Sequence, residues 1–234
     1  MLSTSQTYQT LVGRADHIFE SKIVINSVTY DKTKIIEIST SVTTMNDAPC
    51  VGRAVGTEIN VSILNPTATV PKMATMELYV RAAANGTTSE WIPQGTYFVD
   101  TRKQSQNDDG LDVLTIHGYD AMLKAEGDFP STNHTWPATD TTVLADIATA
   151  IGVTVDSRTT AFLTAAYKFN LPVGYSMRET LEHIAASYGG NFVISMENKL
   201  LFVPLFGLDP EESWYFLSDE NGNALTDGSW YIIV

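Results

Sequence analysis

The stretch LDVLTIHGYDAMLKAE, residues 111–126, decides how this chain is read. Leu111, Val113, Leu114 and Ile116 give it the start of a strand. Gly118 offers a corner, and Tyr119-Asp120 opens a helix in which the Asp120 carboxylate can cap the free amides of AMLKAE. The same residues invite a second reading, with His117 and Asp120 as an acid/base pair. General acid/base work needs a tuned group within hydrogen-bond reach of a substrate, and two residues three apart across a corner supply neither condition. The strand-to-helix reading is preferred: Asp120 caps and His117 sits at a strand end.

Upstream of this stretch the chain alternates with period two. SKIVINSVTYDKTKIIEIST, from Ser21, places Ile23 and Ile25, then Ile36 and Ile38, on either side of a polar YDKTK turn, which is a hairpin pattern. GTEINVSILNP repeats the alternation at Ile59, Val61 and Ile63 before Pro66 closes it. MELYVRAAA, WIPQGTYFVDTRKQSQ and LDVLTIHGY add three more strand-like runs, separated by the turn signals NGTTSE and NDDG. Five or six short strands predict a small antiparallel β-barrel or sandwich over residues 1–126.

Downstream the period changes. The Pro/Gly/Thr-rich residues 127–138 read as a linker. Asp140 or Thr139 can cap TTVLADIATAIG, whose Val143, Leu144, Ile147 and Ile151 share one face before Gly152 stops the helix. In SMRETLEHIAASYGG, Ser176 and Glu179 match the capping box and Met177, Leu181, Ile184 and Ala185 form the buried stripe. NFVISMENKLLFVPL reads as a hairpin turning at Glu197-Asn198. Residues 139–206 are thus expected to form a small α/β domain of two helices and a hairpin. The fold class is α+β, mainly β. Residues 207–234 suggest two further strands around Asn221-Gly222 that either return to the barrel or stand at the edge of a longer chain.

Composition narrows the function classes. At 234 residues and 44% hydrophobic, the chain can bury a core. It has no run of 18 apolar residues and no basic start followed by an apolar region, so neither a membrane span nor a signal peptide is expected. The single Cys50 excludes an internal disulfide and a cysteine-based zinc site. The net charge of −13 is uneven: residues 1–124 hold 10 Lys/Arg against 13 Asp/Glu, and residues 125–234 hold 4 against 14. Such a balance argues against nucleic acid and anionic membrane as partners.

Motifs for chemistry are sparse. His17, His117, His134 and His183 share no metal-ligand spacing. DENGNALTD, from Asp219, has Ala224 where a calcium loop needs glycine and Trp230 where it needs glutamate. G-x-S-x-G, H-E-x-x-H, Walker and G-x-G-x-x-G patterns are absent, and the pairs Glu211-Glu212 and Asp108-Asp109 are loop neighbours rather than carboxylates aimed across a cleft. No enzymatic activity, cofactor, metal site or catalytic residue is expected. Trp91, Tyr97, Phe98 and Tyr119 could stack on sugars, although strand aromatics more often serve a core or subunit interface.

The ordered segments SEWIPQGTYFVDTRKQSQNDDGLDVLTIHGYDAML, WPATDTTVLADIATAIGVTVDSR and YSMRETLEHIAASYGGNFVISMENKLLFVPL resemble tail proteins of phages and prophages of Firmicutes. The resemblance covers about residues 14–206, and within it the chain looks like the N-terminal part of a baseplate hub, or tail-associated, protein. It implies a structural virion component assembled in the bacterial cytoplasm: a homotrimer in the tail, with barrels set against the tail tube, distal tail protein and tape measure. Hub chains run longer and carry a second barrel, which leaves three readings of residues 207–234: a fragment's edge, strands completing the first barrel, or a reduced hub. Strands with free edges are candidates for assembly contacts, with Trp91, Tyr97, Val99 and Arg102 in residues 91–103 and Trp230 and Ile232 in residues 229–234. The alternative from another class is a carbohydrate- or receptor-binding module at the tail tip, which would show exposed Trp and Tyr beside acids in one shallow groove. A cell-wall hydrolase, the third, would need paired carboxylates or a metal.

Overall fold

The computed structural model describes residues 4–42, 50–130, 134–164 and 167–205. The strands expected over 207–234, with Trp230 and Ile232, lie outside the described residues. Helix α1 (Gln6–Val12) comes first, capped by Ser5, and lays Leu11 on Ala82 and Ala84. There follow β1 (Ile18–Ile25), β2 (Val28–Tyr30), β3 (Ile35–Val42), β4 (Arg53–Val55), β5 (Thr57–Leu64), β6 (Thr75–Ala84), β7 (Thr87–Thr88), β8 (Ile92–Gln106) and β9 (Asp112–Tyr119). All but β4 form one antiparallel sheet in the order β2-β1-β6-β8-β9-β5-β3, with β7 on the end of β6. The sheet curls into a half-barrel. Its inner face buries Ile23, Ile25, Ile59, Val61, Ile63 and Ile116, the residues that alternation assigns to one side.

The first hairpin differs from the expected one. Asn26 and Ser27 both take positive φ (47° and 68°), the two-residue turn whose twist suits a tight hairpin, so β1 pairs with β2 rather than with the strand after YDKTK. The Asp31 carboxylate then accepts from the Thr33 amide at 2.9 Å and turns the chain away, and β3 crosses to pair with β5. A bulge between Ile35 and Glu37 leaves Ile36 55% exposed, so Ile36 does not share the inner face with Ile38.

Gly118 is not a corner. The strand β9 runs straight through it to Tyr119, paired with Ile59 on one side and Val99 on the other. A Cβ at Gly118 would overlap the Phe98 carbonyl oxygen and the Met76 methyl, so glycine is needed for close approach rather than for a corner. The turn comes at Asp120, whose side chain accepts from Met122 N and caps a 3-10 helix, Ala121–Glu126.

The remaining elements are β10 (Ala138–Thr139), α2 (Asp140–Ile151), β11 (Thr154–Val155), α3 (Ser157–Phe162), β12 (Lys168–Phe169), α4 (Met177–Tyr188), β13 (Gly190–Ile194) and β14 (Lys199–Pro204). Thr139, not Asp140, caps α2, and Asp140 is fully buried against Tyr188 and the Tyr167 amide. Both halves of the Ser176/Glu179 capping box are formed, and Gly152 and Gly189 end their helices in the left-handed conformation. The stripes of α2 and α4 pack with Phe192, Ile194, Leu200 and Phe202 of the β13–β14 hairpin into a second core.

The two sheets are interlocked. β4, which precedes β5 in the chain, runs parallel to β13 and completes a second sheet in the order β11-β14-β13-β4. The second core in turn takes in Phe98 from β8 and Ala121, Met122 and Ala125 from the 3-10 helix. Tyr97 and Val99 face one core while Phe98 between them faces the other, which explains the unbroken apolar run YFV.

Candidate assembly surface

The residues of the opening stretch have structural partners. One Asp120 oxygen accepts from Thr57 N at 2.7 Å and the other from Met122 N at 2.9 Å, while its own amide donates to the Thr57 carbonyl at 3.0 Å. The carboxylate is 3% exposed, and burial, outweighing the two amide donors and Arg178, pushes its pKa up to about 6. His117 turns elsewhere: its Nε2 lies 3.7 Å from a Glu58 oxygen and its ring meets the edge of Tyr119. The acid/base pair considered from sequence is therefore split between different partners.

Around Asp120 the segment leading into β5 is clamped from the helical side. Arg178 of α4 donates through Nε to the Ala54 carbonyl at 3.0 Å and through Nη1 to Glu126. Asn191 of β13 accepts from Arg53 N and donates to the Cys50 carbonyl, each at 2.9 Å, and Gly52 N donates to Gly190 O at 2.8 Å. Sequence reasoning missed Arg178 and Asn191. Neither carries a local signal beyond a polar position on a helix and a strand, because both bind a segment more than 120 residues away.

The proposed contact residues fall into three situations. Tyr97 and Val99 are core residues, 3% and 0% exposed, and leave no side-chain surface for another chain. Tyr97 OH donates to the Gln94 carbonyl at 3.0 Å across Gly95, and burial pushes its pKa up to about 12. Trp91 is half-buried on the outer face, its ring between Lys22 Nζ at 4.7 Å and the Arg81 guanidinium at 4.4 Å; Arg81 is held in turn by Glu20. With cations on the ring, Trp91 is not a bare stacking platform, and Tyr97 and Phe98 are buried on opposite faces. The aromatic groove that a sugar-binding module would need is not assembled from these four residues.

Arg102 is exposed. Up to Val99, β8 is bonded on both sides, since Val99 N donates to Ala74 O and Met73 N to Val99 O. From Thr101 to Gln106 it pairs with β9 alone among the described residues, so its other edge is open and carries Arg102 and Lys103. TYFVDTR is thus interior in its first half and edge in its second.

A larger feature lies where the half-barrel faces the second sheet. A groove of about 770 Å³ runs between Ile38, Val42, Leu78 and Val80 on one wall and Val193, Leu201 and Val203 on the other. Among the described residues no strand pairs with the outer edge of β3 or with residues 18–22 of β1 on the side away from β6.

No protein-family model matches the chain, and no curated protein matches it in sequence. Solved structures do match in fold. The 43 kDa tail protein of prophage MuSo2 from Shewanella oneidensis aligns over 80% of this chain and 53% of its own, with a TM-score of 0.55 and 12% identity. A tail protein from Neisseria meningitidis MC58 aligns over 79% of this chain and 50% of its own, with a TM-score of 0.52 and 14% identity. The chain spans about half the length of these tail proteins and is similar to them in fold.

Proposed function

We propose that the chain is a structural component of a phage or prophage tail tip, the N-terminal part of a baseplate hub that joins the tail tube to the host-contacting end. The observation that supports this reading is the fold, which is similar to that of two solved tail proteins over 80% and 79% of this chain. Asp120, Arg178 and Asn191 tie residues 50–57 to the helical unit by side-chain hydrogen bonds, a junction suited to a structural part. The protein acts through contacts, with no catalytic step and no cofactor, and its partners are the distal tail protein, the tail tube and the tape measure.

Charge gives the contact a geometry. The open edge of β8 is basic at Arg102 and Lys103, whereas residues 125–234 hold 4 Lys/Arg against 14 Asp/Glu. A basic edge on one copy meeting an acidic unit on the next is a head-to-tail contact, and such contacts form a ring, here a trimer, when the rotation from copy to copy closes. Immunolabelling of purified tails by electron microscopy tests the function: label at the tip is expected, and purified tails lacking the chain would overturn it. Arg102→Glu combined with Lys103→Glu is expected to lower the mass seen by light scattering at a given concentration without lowering thermal stability.

A further inference from the structure

Exposed apolar side chains gather on the segment between β12 and α4. Leu171, Val173 and Tyr175 are 44%, 76% and 45% exposed, a concentration that marks an interaction site more often than scattered apolar residues do. The segment is held in place: the Tyr175 carbonyl accepts from Phe129 N at 3.2 Å, the Val173 amide donates to the Leu171 carbonyl at 2.8 Å, and Ser176 fixes its end as the cap of α4. It stands beside one face of α4, on which Thr180, His183 and Ser187 follow at helical spacing. Segment and helix enclose an open cleft of about 610 Å³, with Leu171, Pro172 and Tyr175 on one side and Thr180, His183 and Ser187 on the other. That volume lies within the roughly 300–1,000 Å³ of small-molecule sites.

The cleft mixes an aromatic ring with polar groups that have bonding capacity to spare. The Tyr175 ring stands edge to face with His183, centroids 5.3 Å apart at 89°. The Thr180 hydroxyl donates to the Ser176 carbonyl at 2.9 Å and the Ser187 hydroxyl to the His183 carbonyl at 3.0 Å, which leaves both oxygens able to accept. Among the described residues the Asn170 side-chain amide and the His183 ring nitrogens make no hydrogen bond, and both line the cleft. No Lys, Arg, Asp or Glu among the described residues lines it, so nothing there pairs with a sulfate, a phosphate or a uronic acid. A partner protein with an apolar face would bury these polar groups unpaired, at a cost that favours a different guest. A pyranose matches both halves of the surface, since one face of its ring presents C–H groups and its rim presents hydroxyls that donate and accept. We infer that this cleft is a carbohydrate subsite that takes a neutral pyranose of a surface glycan, its C–H face on Tyr175 and its hydroxyls on Asn170, His183 and Ser187. The inference rests on the cleft alone and not on the tail-tip function.

A glycan array probed with the full chain carried on fluorescent beads tests it, because display in many copies raises a weak single-site affinity to a readable one. Binding to at least one neutral glycan is expected, lowered about fivefold or more by Tyr175→Ala and largely kept by Tyr175→Phe, which retains the ring. Asn170→Ala, at an exposed position outside both cores, is expected to lower the same signal by about fivefold or more. Thermal melting of the variants is expected to match that of the native chain, which separates lost binding from lost folding. Binding to no neutral glycan above bare beads would overturn the inference, as would binding confined to sulfated or uronic glycans, or a signal that neither Tyr175→Ala nor Asn170→Ala alters. A chain that ignores every glycan, and whose mass by light scattering falls on Tyr175→Ala, would overturn it in favour of a second copy seated on this segment.

Discussion

Replacing Asp120 by Asn isolates what it costs to keep a charge at the junction. In the native fold the carboxylate is buried and its pKa is raised from 3.8 to about 6, chiefly by loss of hydration. A group whose folded pKa lies above its unfolded value stabilises the fold below the unfolded pKa and loses that contribution as the pH rises through the folded one. Here the window is about 3.8 to 6. The shift of about 2 units is worth about 3 kcal/mol, of which about 2–3 kcal/mol falls between about pH 7.5 and pH 4. Asn cannot titrate, and its amide must turn one N–H toward the Thr57 or the Met122 amide, a constant cost of about 1–3 kcal/mol. Urea unfolding of both proteins across this range gives the difference in stability directly, and other carboxylates cancel in it. The expected result is a difference that moves in favour of the native protein as the pH falls. Parallel curves, or a difference moving the other way, would show that the two amide donors outweigh burial and that Asp120 is an ordinary or depressed carboxylate.

Three further changes probe the interlock. Gly118→Ala puts a methyl group into the Phe98 carbonyl and the Met76 side chain, and a loss of about 1–3 kcal/mol or more is expected by denaturant melting. Arg178→Leu removes the donors to Ala54 and Glu126, so amides of Arg53–Val55 should exchange faster while those of β6 are unchanged; unaltered exchange at β4 would refute the clamp. Ser176→Ala breaks the capping box of α4 and is expected to cost about 1 kcal/mol, with Ser176→Thr restoring most of it.

What the sequence makes legible here is what its own neighbours determine. The stripes of α2 and α4, the Ser176 box, the hairpin turn at Asn198 and the Asp120 cap are written within a few residues of where they act, and each forms. The half-barrel's inner face is legible for the same reason, because alternation is a local pattern. What stays hidden is set by partners far along the chain. Gly118 reads as a corner until Phe98 and Met76 are seen pressing on it from two other strands. Tyr97 and Val99 read as exposed edge residues because nothing nearby reveals that β6 and β9 flank them and that Phe98 belongs to another core. β4 is three residues long, too short for any period, and its register is fixed by Phe192 and Asn191 more than 130 residues later. The contact surface is the least legible part for the same reason: an edge is a strand lacking a neighbour, and which strand lacks one is decided by the whole topology. Arg102 lies on an edge only because β8 outruns β6, and the place where it does so is the bulge between Val99 and Thr101 that no residue of TYFVDTR announces.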